Sequence, residues 1–126
     1  MSCSPLLVQA EGVEPSTTRL SAEALAARAG LELSAVGQAG NGVLHLALGG
    51  PLPSGETITE GLLVPLRQEL AGEGGGVTVE RAPSPLKAHL DVWGPIAPEV
   101  LAIFERIKRE FDPLGILNPG RFVGEL

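Results

Sequence analysis

Few side chains in this sequence are equipped for chemistry. His45 lies in Val43-Leu44-His45-Leu46-Ala47-Leu48, where three leucines alternate with Val43, His45 and Ala47. In an extended chain this puts the imidazole on the face opposite the leucines. A protein metal site needs about three or four ligands of suitable type; no second ligand is evident beside His45, so no metal site is expected. His89, in a proline-rich stretch, reads as a surface or capping histidine. With two histidines and one cysteine near the N-terminus, no Ser-His-Asp or Cys-His pairing is convincing. There is no GxxxxGK[ST], GxGxxG, CxxC or HExxH pattern. Gly74-Gly75-Gly76 follows a predicted helix, whereas a phosphate cradle precedes one, so it reads as a linker turn.

Composition narrows the classes further. The 126 residues suffice for one domain with one core. Apolar residues make up 44% and aromatic residues 3%, which calls for a core of Leu, Val, Ile and Ala without large stacking platforms. Net charge is −6, and Arg106, Lys108 and Arg109 are the main basic cluster; a nucleic-acid partner is disfavoured because phosphate binding needs positive surface. Cys3 cannot form an internal disulfide, which fits a reducing compartment. Leu6-Leu7-Val8 is too short for a signal peptide or a span. A cytoplasmic chain without membrane insertion is expected.

The elements that must position these residues follow from periodicity. Leu6, Val8 and Ala10 alternate as a first strand. Pro15 opens a helix through Leu20, Ala24, Leu25 and Ala27, with leucine as its expected buried stripe, and Gly30 stops it. Leu31 to Val36 reads as a second strand and Val43 to Leu48 as a third, joined by a turn containing Asn41-Gly42. Ile58, Leu62, Leu66 and Leu70 form a helical stripe, with Thr57 and Glu60 as a candidate capping box and Pro65 predicting a kink. Val77 to Glu80 is a fourth strand. Leu86, Leu90, Val92 and Trp93 anchor the proline-rich segment after it, and Val100, Ile103, Phe104, Ile107 and Phe111 form the stripe of a last helix opened by Pro98. The order β-α-β-β-α-β predicts an α+β, ferredoxin-like antiparallel sheet with an added C-terminal helix and tail. We expect a single domain over 1–126, with its core at 5–82, a proline-rich connection at 83–97 and the helix and tail at 98–126.

The tail carries the most shape. In Phe111-Asp-Pro-Leu-Gly-Ile-Leu-Asn-Pro-Gly-Arg121, two prolines fix φ and two glycines permit positive φ, so the helix must give way to two tight turns. Ile116 and Leu117 between them form an apolar plug. On residue types alone this is a helix whose tail folds back on its own core.

This run also resembles the end of FAD-linked oxidases of the vanillyl-alcohol-oxidase type, and among them the C-terminal (cap) domain of the FAD-linked subunits of glycolate oxidase. The hairpin Gln38-Ala-Gly-Asn-Gly-Val-Leu-His45 is similar to a His-x-Gly-Asp-Gly-Asn-x-His hairpin of the same group, whose histidines help bind a divalent metal near the substrate carboxylate. Here Gln38, Asn41 and Val43 replace three of its polar positions, and His45 is left as a candidate substrate-facing histidine. The resemblance implies that Asn118 and Arg121 lie at the junction with a flavin domain. It implies FAD for the assembled enzyme, with none bound by this chain alone, and an FAD-binding domain or subunit and a 2-hydroxy acid as partners. The chain by itself is expected to be inactive, since no flavin-binding region is present in the sequence. The alternative is a ferredoxin-like interaction or regulatory module without activity, with a homodimer through its open sheet face.

Overall fold

The alternation of apolar residues sets the sheet. The computed structural model describes residues 5–11, 15–38 and 40–126, and the chain divides into two compact units, Met1–Gly94 and Pro95–Leu126. Cys3 lies outside the described residues. In the first unit β1 (Leu6–Glu11), β2 (Glu32–Gln38), β3 (Val43–Gly49) and β4 (Gly76–Arg81) form one sheet in the order β2-β3-β1-β4. All three pairings are antiparallel, with Val36 opposite His45 and His45 opposite Gln9. This is the expected ferredoxin-like arrangement.

Leu6, Val8 and Ala10 of β1, Leu44, Leu46 and Leu48 of β3, and Val77 and Val79 of β4 face the core and are buried. Over them lie α1 (Pro15–Arg28) and a continuous helical segment made of α2 (Gly55–Ile58), a π-helical turn (Thr59–Leu63) and α3 (Val64–Ala71). The turn resolves the expected kink at Pro65. The Val64 N–H bonds to the Thr59 carbonyl, five residues back, so Pro65 falls in the first turn of a new helix, where its missing N–H costs little. The stripe Ile58, Leu62, Leu66 and Leu70 stays buried, with Leu63 added to it. The widened turn leaves the Thr59 hydroxyl buried with no hydrogen-bond partner among the described residues.

Two local expectations are corrected. The buried face of α1 is Thr18, Ala22 and Ala26, four residues apart, with Leu25 partly packed beside them. Leu20 is 67% exposed, because two residues from that stripe a helical side chain projects to the far side. The helix cap is Ser54, not a box at Thr57 and Glu60: the Thr57 N–H donates to Ser54 Oγ at 3.3 Å.

The segment after β4 covers the outer edge of that strand. The short helix α4 (Ser84–Lys87) leads to buried Leu90 and to Val92, whose carbonyl accepts the Val79 N–H at 2.8 Å. Arg67 of α3 completes the cover: Nε donates to the Val77 carbonyl at 3.2 Å, and Nη2 donates to the Asp91 carbonyl at 2.7 Å. Nη1 reaches Asp91 Oδ2 at 3.3 Å. Burial lowers the Arg67 pKa from its ordinary value and Asp91 opposes that shift. Asp91 Oδ1 takes the Gly94 N–H at 2.9 Å, and a Cβ on Gly94, at φ +83°, would lie 2.9 Å from Arg67 Nε. Trp93, expected as an anchor, is 43% exposed, whereas Leu86 and Val92 pack on the core.

In the second unit α5 (Pro98–Phe111) has Glu99 in its first turn and Lys108 and Arg109 in its last, as the helix dipole favours. Its apolar stripe is present but exposed at Val100, Ile103, Ile107 and Phe111. A shallow groove there is lined by Ile103, Arg106, Ile107, Glu110 and Phe111. The tail returns along the helix: the Phe122 ring meets Phe104 edge-on at 5.4 Å, and the final 3-10 turn Val123–Glu125 brings Gly124 against Leu101. Ile116 and Leu117, expected as a plug, are exposed, because other groups hold the turn between them and the helix. No helix among the described residues is long and apolar enough to cross a membrane.

Candidate functional site: the C-terminal turn and the His45 face

The turn after α5 is built around one carboxylate. Asp112 ends the helix, its N–H bonding to the Lys108 carbonyl at 2.8 Å. Its side chain is buried and accepts from the Ile116 N–H at 3.0 Å and the Leu117 N–H at 2.9 Å. Lys108 Nζ sits 2.6 Å from Asp112 Oδ2 and also donates to the Leu117 carbonyl. Pro113 and Gly115 let the chain reverse, and the Gly115 N–H reaches the Asp112 carbonyl at 3.0 Å. A second turn follows at once, with the Arg121 N–H bonding to the Asn118 carbonyl at 3.3 Å. Asn118 has φ 45°, a left-handed conformation that asparagine tolerates better than most residues. The two candidate junction residues are thus held by one turn, and both are exposed.

The Lys108 hydrogen bond, more than any other contact, holds the Asp112 carboxyl below the usual carboxylate range; the Leu117 and Ile116 amides act the same way, against the opposing effect of burial. A carboxyl depressed on folding stabilises the turn fully above its unfolded pKa and stops doing so as pH falls through the folded value. Acid titration followed at the Ile116 and Leu117 amides is expected to leave the turn closed through the ordinary carboxylate range and to open it only below that range. Opening within that range would contradict this.

The third candidate, His45, lies in the Met1–Gly94 unit. It is on the sheet face away from the helices, beside Gln9 and Val36 on the neighbouring strands. Its Nδ1 is 3.4 Å from Glu80 Oε2, with both side chains about one-third exposed at 38%. Glu80 is the partner that sequence reasoning did not find. Gln38 and Asn41, which replace a histidine and an aspartate of the similar hairpin, bond to each other: Asn41 Nδ2 donates to Gln38 Oε1 at 2.9 Å. Asn41 Oδ1 also takes the Val43 N–H at 3.3 Å, and Gly42 supplies the positive φ of 67°. These residues close the turn. Among the described residues no group of three His, Cys, Asp or Glu side chains converges.

Residues 95–122 match the family model for FAD linked oxidases, C-terminal domain. The matched segment comprises α5 and both turns, so Lys108, Asp112, Asn118 and Arg121 fall inside it and His45 outside. Comparison with curated proteins and with solved structures found no match.

The described residues do not fit FAD itself. The one strand-to-helix passage with a glycine-rich loop among the described residues is β3 to α2, through Gly49-Gly50-Pro51-Leu52-Pro53-Ser54. There the Thr57 N–H is taken by Ser54, Glu56 adds negative charge, and Gly55 is covered: a Cβ on it would lie 2.8 Å from His89 Cβ. A pyrophosphate needs free N–H groups and positive potential at such a point. The role of Lys108 and Asp112 was missed in the sequence, though the signal was there: a lysine four residues before an aspartate that ends a helix ahead of proline.

Proposed function

We propose that this chain is the substrate (cap) part of an FAD-linked 2-hydroxy-acid oxidoreductase of the glycolate oxidase type, and that its two units act as one cap domain. The observation that carries the reading is the matched segment, in which a buried carboxylate shapes the turn carrying exposed Asn118 and Arg121. FAD, held by a partner domain of the same or another polypeptide, accepts hydride from the 2-hydroxy acid when bound. Arg121 and Asn118 contact that domain, an always-charged fork and an amide being suited to carbonyl and phosphate oxygens. His45, beside Glu80, faces the substrate. These residues alone do not oxidise glycolate, and they act in the cytoplasm.

The test is capture of a flavoprotein by the tagged chain from the source lysate, followed by glycolate and D-lactate oxidation with a dye acceptor. A yellow, stoichiometric complex with turnover is expected, and Arg121→Ala should weaken capture by about tenfold or more, the worth of a charge-assisted hydrogen bond. A colourless eluate sinks the reading, as does a chain that is yellow and active alone. The second reading, an inactive ferredoxin-like interaction module, draws on Val36, which is 68% exposed on the open sheet face. A colourless homodimer that loses its partner on Val36→Lys would favour it.

A further inference from the structure

We infer that Asp112, clasped by Lys108, is the positioning residue of the C-terminal turn: it fixes residues 112–121 in the free chain so that Asn118 and Arg121 are presented ready-made to the flavin-bearing partner. The inference rests on the proposed function for the identity of that partner, and on geometry for the rest. A carboxylate at the end of a helix is in the wrong place for the helix dipole, whose negative end lies there. Capping α5 therefore does not explain it. What it does is accept two successive N–H groups, from Ile116 and Leu117, that belong to the tail and not to the helix. Lys108, one turn earlier, neutralises the buried charge and ties down the Leu117 carbonyl as well.

The apolar residues of this stretch do not supply the order. Leu114, Ile116 and Leu117 are 80%, 71% and 58% exposed, so burial does not hold the loop in shape. The polar clasp is what remains between the end of α5 and the Asn118–Arg121 turn. Since Asn118 follows Leu117 directly, fixing the Leu117 amide and carbonyl fixes the entry to that second turn. A segment ordered before docking loses less conformational entropy on binding, so the clasp raises affinity without touching the partner.

The experiment begins with the full chain alone, using backbone amide order parameters of Ile116, Leu117, Asn118 and Arg121. Values near about 0.85 are expected for the native protein and below about 0.6 for Asp112→Ala, while α5 and the sheet keep their order. Asp112→Asn, with one accepting oxygen, should restore part of it. The second arm is a cycle of Asp112→Ala and Arg121→Ala, read as the dissociation constant for the captured flavoprotein. Each single change should weaken binding by about tenfold, and the double change by little more than either. Unchanged order parameters in Asp112→Ala overturn the inference. So do strictly additive losses, which would leave Asp112 a structural residue only. If the tail loosens as expected but the native chain captures no flavoprotein, the flavin reading falls while the clasp stands.

Discussion

Replacing Arg67 by alanine is expected to lower the unfolding free energy of the Met1–Gly94 unit by about 3 kcal/mol, measured by urea denaturation. The size follows from what the guanidinium leaves behind. The Val77 and Asp91 carbonyls each lose a charged donor, at 3.2 and 2.7 Å, and the edge of β4 loses its cover. Asp91 itself contributes little to the loss: its side chain is 55% exposed, so its carboxylate can turn to water. Asp91→Asn should therefore cost about 0.5 to 1 kcal/mol, well below Arg67→Ala. Arg67→Lys should fall between the two, since one ammonium cannot span three acceptors with a planar fork. Equal losses for Arg67→Ala and Asp91→Asn would mean that the ion pair, not the carbonyl bonds, is what matters.

Leu46→Ala is expected to cost about 3 to 4 kcal/mol, the range of a buried leucine truncated to leave a cavity. Leu46 is 1% exposed on β3, with Val8 opposite on β1 and Ala35 opposite on β2. Strands on both sides restrain collapse into the space. Leu20→Ala on α1, at a 67% exposed position, should stay within about 0.5 kcal/mol. The pair separates burial from residue type: a comparable loss at both sites would overturn the placement of Leu20 on the outer face.

The sequence by itself determined the sheet. Alternation along Leu6–Glu11 and Val43–Gly49 chose which side chains face the core, and Asn41-Gly42 set the hairpin between β2 and β3. Proline and glycine in the tail require two turns whatever the rest of the chain does. These are short-range effects, governed by the pleat and by which φ values a residue allows. The likeness of the tail to FAD-linked oxidases was legible for the same reason: its specificity lies in consecutive turn residues.

The tertiary structure decided the rest. Arg67 reads in the sequence as one more polar residue on a helix, and only packing brings it to Val77 and to Asp91, 24 positions on. Glu80 meets His45 because β1 lies between their strands and holds both at a fixed distance. The small residues of α1, not its leucines, face the core. Pro65 does not break its helix, because a π turn absorbs one residue ahead of it. Asp112 is more than a turn former because Lys108 and two amides surround its carboxylate. For Arg67 and Glu80 the deciding quantity is a distance between groups far apart in the chain, and such distances follow from strand register and helix packing, which local residue preferences do not encode.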